Sequence, residues 1–176
     1  DLTAVVTWNP LLQEIRSMPG ANGVFDSSMI PGEIIDLMIV NTETLEKDPR
    51  LGKALTGAWY ETMALMAAEG DQADQVKGAM AEASGTDLAG YKAQLAVTQM
   101  FYEPEPAVEF VRSENVQETM QKVAQFSFDH GLLGDGAPDS GVVGIAYPSG
   151  AVSGAADNVK LRFDDSFMAS AAKGEL

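Results

Sequence analysis

A carboxylate inside an apolar run is the first feature of the sequence that could hold a solute. Asp36 lies within the apolar residues 34–40, where burying it without a partner would cost several kcal/mol. It therefore needs a cation, backbone donors or a solvent-filled cleft. Glu33 follows the Pro31-Gly32 turn, so the two acids could together hold an amine, an amidinium group or a urea-like donor. Alternatively, Asp36 is a hinge carboxylate satisfied by local amides.

Trp8 and Asn9 form a second candidate, because they lie between a predicted strand and the predicted helix that follows Pro10. In open α/β sheets, ligands bind in the crevice outside the carboxyl ends of the strands. An indole there could form a flat apolar wall, and the Asn9 amide offers both a donor and an acceptor. The alternative is that Trp8 is only a core aromatic.

His130 is the single histidine, and it precedes Gly131 at the end of a predicted helix. An imidazolium there interacts favourably with the helix dipole, and glycine supplies the left-handed cap. We favour this capping role over general-base catalysis. One histidine excludes a His-rich metal site, and zero cysteines exclude thiolate metal sites, iron–sulfur clusters and Cys nucleophiles. We expect no catalytic residue, metal or cofactor.

Charge limits the classes of partner. The chain has 11 Lys and Arg against 26 Asp and Glu, for a net charge of −15. Such a field repels phosphate backbones and anionic lipid, so we expect no nucleic-acid or membrane-surface partner. A small cationic or neutral solute is easier to accommodate. The length of 176 residues and the 45% hydrophobic content indicate an ordinary globular protein with about one domain's worth of sequence.

Alternating strands and helices must position the candidates near the start of the chain. The sequence predicts a strand over residues 2–8, a helix over 11–16 and a brief strand over 24–26. Residues 34–40 do not alternate apolar with polar, which is typical of a strand covered on both faces in a parallel sheet. The first 40 residues therefore predict an α/β fold.

The remainder of the chain is predicted to be mainly helical. Asp48 and Pro49 begin the longest helix, which ends before Gly70, and the spacing of Leu51, Leu55, Trp59 and Met63 predicts one buried face. Further helices are expected over residues 71–84, 88–95, 107–111, 113–130 and 165–172, and Ser113 can cap the fourth of them. A loop over 131–140 and strands over 142–147 and 159–163 complete the prediction.

Several blocks of this sequence resemble a known family. They are V-V-T-W-N-P, F-D-S-S-M-I-P-G-E-I-I-D-L-M-I-V-N and K-D-P-R-L-G-K-A-L-T-G-A-W-Y-E-T-M. Together they resemble the substrate-binding proteins of ABC importers, in the group that binds taurine, alkanesulfonates, nitrate and thiamine precursors. The blocks F-S-F-D-H-G-L-L-G and V-K-L-R-F-D-D-S-F-M are similar to the urea-carboxylase-associated, urea-type branch.

The resemblance implies a type II periplasmic-binding-protein-like fold, in which two α/β lobes are joined by a two-strand hinge around the ligand. Family members are longer, and this chain resembles their C-terminal half. Residues 1–32 would be the end of the second lobe and the hinge, and residues 33–176 the return to the first lobe with its C-terminal helices and strand pair. Neighbours of residues 34–40 would then lie in absent segments, so we expect that segment to be under-covered.

The resemblance also implies a binding site. Matched by position, it assigns ligand contacts to the tryptophan after the strand, Trp8, to the hinge pair Ser27 and Ser28, and to the cleft acid Asp36. In amine-binding relatives, an acid at that place faces the cationic end of the ligand. The complete predicted site, expected to border one concavity, is Trp8, Asn9, Ser27, Ser28, Glu33 and Asp36.

The implied function is that of a periplasmic, extracytoplasmic solute-binding component of an ABC importer. It would act as a monomer that captures a small nitrogen-containing solute, such as urea, guanidine or an amine, and delivers it to a membrane permease. The alternative is an enzyme similar to the thiamine-precursor-synthesising relatives, which depend on a histidine and a Cys-rich segment. The absence of cysteine argues against it. A structural or interaction module would be favoured if the surroundings of Trp8 and Asp36 were fully packed.

Overall fold

The computed structural model describes residues 3–176, which form a mixed α/β structure rich in helix. The predicted first strand begins at Leu2, which lies outside the described residues. The helices are α1 (Leu11–Arg16), α2 (Thr42–Lys47), α3 (Arg50–Ala67), α4 (Asp71–Ala83), α5 (Leu88–Ala96), α6 (Pro104–Arg112), α7 (Glu114–Asp129) and α8 (Ser166–Ala172). The strands are β1 (Gly144–Ala146), β2 (Val152–Ser153) and β3 (Val159–Arg162). The prediction of an α/β fold is thus confirmed, with helix exceeding strand.

The chain divides into two compact units. Unit 1 comprises Asp1–Ile34 and Glu61–Tyr102, and unit 2 comprises Ile35–Tyr60 and Glu103–Leu176. The division falls inside α3. The predicted division into residues 1–32 and 33–176 stays a prediction.

Unit 1 contains the helix pair α4 and α5. These helices pack on each other, and Ala73 and Ala81 of α4 are buried. Lys92 of α5 forms an ion pair with Asp74 of α4, with 2.6 Å between Nζ and Oδ1. The Asp87 side chain accepts from the backbone N–H of Gly90 at 2.7 Å and caps α5, which satisfies a donor that the helix itself leaves unpaired.

Unit 2 is built around the packing of α7 on a three-stranded sheet in the order β2-β1-β3. β1 pairs antiparallel with β2 and parallel with β3. Val116 of α7 is fully buried in a core with Ile145, Tyr147 and Phe163. The rings of Tyr147 and Phe163 stack with their centroids 5.7 Å apart. The Ser113 hydroxyl caps α7, as predicted, by accepting from the Val116 N–H at 3.3 Å.

Three predicted strands are absent from the structure. Residues 3–8, 24–26 and 34–40 contain no strand, so these predictions are wrong. β-branched and apolar residues favour strands, but a strand also needs a hydrogen-bonded neighbour, and no other described segment pairs with these three. As expected, residues 34–40 are poorly covered: Ile34, Leu37, Met38 and Ile39 are exposed.

The long helix α3 is confirmed as the longest element, at 18 residues. Asp48 accepts from the Arg50 N–H at 3.1 Å, close to the predicted start. Met63 is buried as predicted, whereas Leu51 and Trp59 are exposed. The predicted buried face is therefore wrong for those two residues. Gly52, Met63 and Met66 are buried, and Trp59 lies on the same helix face as Gly52 and Met63, so that face is covered only in part. Within residues 3–176, α3 and the other helices are too short or too polar to cross a membrane.

Two glycines of α3 should respond in opposite ways to substitution by alanine. A Cβ at Gly52 would overlap the Phe167 ring of α8, whereas a Cβ at Gly57 would meet open space. Alanine improves helix propensity by about 1 kcal/mol, but overpacking costs about 1–3 kcal/mol. We expect Gly57→Ala to raise the free energy of unfolding by about 1 kcal/mol and Gly52→Ala to lower it. Thermal unfolding followed by circular dichroism tests this, and equal shifts would contradict the close approach.

Candidate functional site

A half-open concavity of about 350 Å³ lies in unit 1 against α1. Its polar lining consists of Asn9, Gln13, Arg16 and Ser17. Its apolar lining consists of Leu12, Ala93 and Val97. The site thus combines amide, guanidinium and hydroxyl groups with a small apolar surface, as ligand pockets commonly do.

The periodicity of α1 explains why these side chains meet. Positions 12, 13, 16 and 17 recur at three- and four-residue intervals, so they share one face of the helix and its C-terminal end. The helix begins and ends as the sequence predicts, at Leu11 and Arg16. The Leu12 N–H donates to the Trp8 carbonyl at 2.8 Å, and the Ser17 N–H donates to the Gln13 carbonyl at 3.1 Å. The second bond continues the helical geometry over Ser17, whereas Asn9 precedes the helix and is joined to Pro10 by a cis peptide bond.

Asp26 orients the cationic group of the site. Its Oδ2 lies 3.5 Å from Nη1 of Arg16. Its Oδ1 accepts from the Ser28 hydroxyl at 2.5 Å and from the Ser28 N–H at 3.0 Å. The hydrogen bonds from Ser28 are the main cause that lowers the pKa of Asp26 below its ordinary value of 3.8, and the charge of Arg16 adds to them. Asp26 is thus held as a carboxylate.

Trp8 and Asn9 occupy different environments although they are adjacent. Asn9 lines the concavity. Trp8 is 76% exposed and is not among the lining residues, so its alternative role as a core aromatic is wrong. The exposure leaves the indole accessible to a ligand, and its predicted role as an apolar wall stays a prediction.

Ser27, Ser28 and Glu33 lie in unit 1 but outside the lining of the concavity. Ser27–Met29 form a short 3-10 helix that Asp26 caps. The Ser28 hydroxyl donates a hydrogen bond to the Asp26 carboxylate. Glu33 is exposed. The ligand contacts predicted for these three residues stay predictions.

Asp36 belongs to unit 2 and is exposed. The argument that its carboxylate is buried in an apolar strand is therefore wrong, because residues 34–40 do not form that strand and water can solvate the group. Its predicted contact with a ligand is a separate matter and stays a prediction. Neither Trp8 nor Asp36 is fully packed, so the condition that would have favoured a purely structural module is not met.

His130 performs the capping role that the sequence predicts. It is the C-cap residue of α7, and Gly131 follows with a φ of +70°. The Leu132 N–H donates to the Ser127 carbonyl at 2.8 Å, which closes the helix end. Nδ1 of His130 lies 2.9 Å from the Phe126 carbonyl oxygen, and its ring stacks on Phe126 at 3.9 Å. One ring nitrogen is therefore engaged in ending the helix.

Sequence reasoning missed Gln13, Arg16 and Ser17 as members of the site. The signal was present, because all three follow Leu12 at helical spacing in the predicted helix or at its end. Among residues 3–176, no group of three or more His, Cys, Asp or Glu side chains is arranged to hold a metal ion. No family model, curated protein or solved structure matches this chain.

The pKa of Asp26 should depend on the Ser28 hydroxyl. We expect Ser28→Ala to raise this pKa towards the ordinary value of 3.8 without reaching it, because the Ser28 N–H and Arg16 remain. Because the pKa of Asp26 is lower in the folded chain than in the unfolded chain, its carboxylate stabilises the fold at pH values above the unfolded-state pKa. This stabilisation is lost as the pH falls through the folded-state pKa. Carboxyl ¹³C NMR titration measures the shift. Ser27→Ala is the matched control, and an equal effect from it would contradict the assignment.

An unsatisfied amide beside the concavity should lower stability. Nε2 of Gln94 is buried without a hydrogen-bond partner, and Gln94 follows the lining residue Ala93 in α5. A buried unsatisfied group costs about 1–3 kcal/mol, so Gln94→Met should raise the free energy of unfolding by roughly 1 kcal/mol. Thermal unfolding tests this, with the exposed Gln75→Met in α4 as the control. A loss of stability specific to Gln94→Met would show that the amide is in fact satisfied.

Proposed function

We propose that this protein is the extracytoplasmic solute-binding component of an ABC importer and captures a small, neutral, urea-like solute for a membrane permease. The observation that carries the proposal is the position of Asn9. The sequence predicts it as a ligand residue, and it lines the concavity in unit 1 together with Gln13, Arg16 and Ser17. The resemblance to urea-type binding proteins supports the same solute class.

The hydrogen-bonding groups of the site complement urea. Urea has one carbonyl oxygen that accepts and two amino groups that donate. Asn9 and Gln13 each provide an amide oxygen and an amide NH₂, and Arg16 provides several N–H donors in a plane. One Arg16 nitrogen faces Asp26, which leaves the other donors for a solute. A carbonyl oxygen can thus be bound by N–H groups while amino groups meet the amide oxygens.

Charge favours urea over guanidine and amines, the other solutes of the predicted class. The guanidinium of Arg16 lies in the lining and disfavours a second cation beside it. The net charge of −15 disfavours anions. A neutral solute avoids both penalties. Binding without catalysis is the proposed activity, since the lining polar groups are suited to hydrogen bonding and His130 serves as a helix cap.

Isothermal titration calorimetry on the full chain tests the proposal, with urea, guanidinium chloride, methylamine and taurine as ligands. We expect saturable heat with urea and weaker or no binding with the others. Asn9→Ala should weaken urea binding by about 1 kcal/mol, the usual contribution of one hydrogen bond, or about fivefold.

Asn22→Ala is the matched control for this experiment. Asn22 also lies in unit 1, and its amide donates to the Gly20 carbonyl at 3.2 Å outside the lining of the concavity. It should bind urea as the parent protein does. Absence of saturable urea binding, or equal affinity in the Asn9→Ala and parent proteins, would refute the proposed site.

A further inference from the structure

A second concavity, of about 270 Å³, lies in unit 2 between α7 and the sheet. Its apolar surface is formed by Met120, Ala124, Val143 and Ile145. Its polar groups are the amides of Gln121 and Gln125 and the hydroxyls of Ser140 and Ser153. An apolar surface with a few polar groups is the composition of a small-molecule site.

The lining of this pocket contains no ionisable side chain. Two carboxylates outside the lining accept hydrogen bonds from lining residues. Oδ1 of Asp129 accepts from Nε2 of Gln125 at 2.8 Å, and Oδ1 of Asp139 accepts from the Gly141 N–H at 2.8 Å. A charged ligand would lose hydration here without gaining a counter-charge in the lining. The pocket therefore suits a neutral ligand.

The hydrogen bonds of Gln121 and Gln125 determine whether the pocket offers donors or acceptors to a ligand. Nε2 of Gln121 donates to Oγ of Ser153 at 3.3 Å, and Oγ of Ser153 donates to the hydroxyl of the buried Tyr147 at 3.3 Å. Nε2 of Gln125 is likewise engaged, with Asp129. These bonds engage the amide nitrogens, so the amide oxygens of Gln121 and Gln125, both exposed side chains, are left to accept. These oxygens accept, so the complementary ligand carries N–H or O–H donors.

One wall of the pocket is formed by closely spaced backbone. Gly154 has a φ of +73°, and a Cβ there would overlap the Val143 carbonyl oxygen. The Ala155 N–H donates to the Gly141 carbonyl at 2.8 Å and ties the two lining loops together. This wall is therefore held by the backbone, and the shape of the pocket does not depend on one exposed side chain.

We propose that the pocket between α7 and the β1–β2 hairpin is a second binding site, for a small neutral solute that combines a short apolar body with N–H or O–H donors. The apolar body packs on Ala124, Val143 and Ile145. The donors bind the Gln121 and Gln125 amide oxygens. Gln121, Ser153 and Tyr147 are linked by hydrogen bonds. A ligand that bonds Gln121 therefore changes the surroundings of Ser153 and, through Ser153, those of the buried Tyr147 hydroxyl.

Isobutyramide is a suitable probe, because it has a branched apolar body and a neutral NH₂ donor. Isobutyrate and isobutylammonium have the same carbon skeleton with a negative and a positive charge. We expect isobutyramide to cause saturable chemical-shift changes in the Gln121 and Gln125 side-chain amides, the Gly141 and Gly154 backbone amides and the Tyr147 ring. The two charged analogues should not saturate these shifts.

Ala124→Leu fills the pocket from α7 and should abolish the saturable shifts. Val123→Leu is the matched control, because Val123 is an exposed neighbour on the same helix and does not line the pocket. The control should respond to isobutyramide as the parent protein does. The proposal is overturned if the parent shows no saturable shifts, if a charged analogue binds equally well, or if Ala124→Leu leaves the response unchanged. Urea titration of Ala124→Leu separates the two proposals, since the first concavity lies in unit 1.

Discussion

The packing of α7 on the sheet is the constraint on which unit 2 depends. Val116 is completely buried against Ile145, Tyr147 and Phe163, and burial of such apolar surface is the main favourable term in folding. The Ser113 cap and the His130 cap determine where the helix begins and ends. With those ends set, Gln121, Ala124 and Gln125 face the second concavity. The same helix thus contributes both to the core and to a candidate site.

In both concavities, side-chain amides lie beside a small apolar surface. These amides belong to Asn9 and Gln13 in unit 1 and to Gln121 and Gln125 in unit 2. Amides donate and accept without carrying charge. This chemistry suits neutral solutes in a chain whose net charge is −15, since the field of the protein affects neutral molecules least. The main difference is Arg16, which adds a strong donor to the first concavity.

Residues 3–8 and 34–40 show where local pattern and structure disagree. Their β-branched and apolar composition favours strands, yet neither segment forms a strand and most of their residues are exposed. Backbone hydrogen bonds between strands form only with a neighbouring segment, and composition cannot supply that neighbour. The exposure of Asp36 has the same origin, since its burial was inferred from a strand that does not form.

The sequence by itself determined the local elements whose signals lie within a few residues. Helix α1, the Ser113 cap and the His130-Gly131 helix end were all predicted correctly, because capping and helical spacing act over one or two turns. The α/β class is also correct, but its strands lie at residues 144–162 and not in the first 40 residues from which the class was predicted. Only tertiary structure decided the hairpin strand β2, the exposure of Trp59 in α3 and the meeting of α1 with Ala93 and Val97. They depend on contacts between residues far apart in the chain, which short-range patterns do not encode.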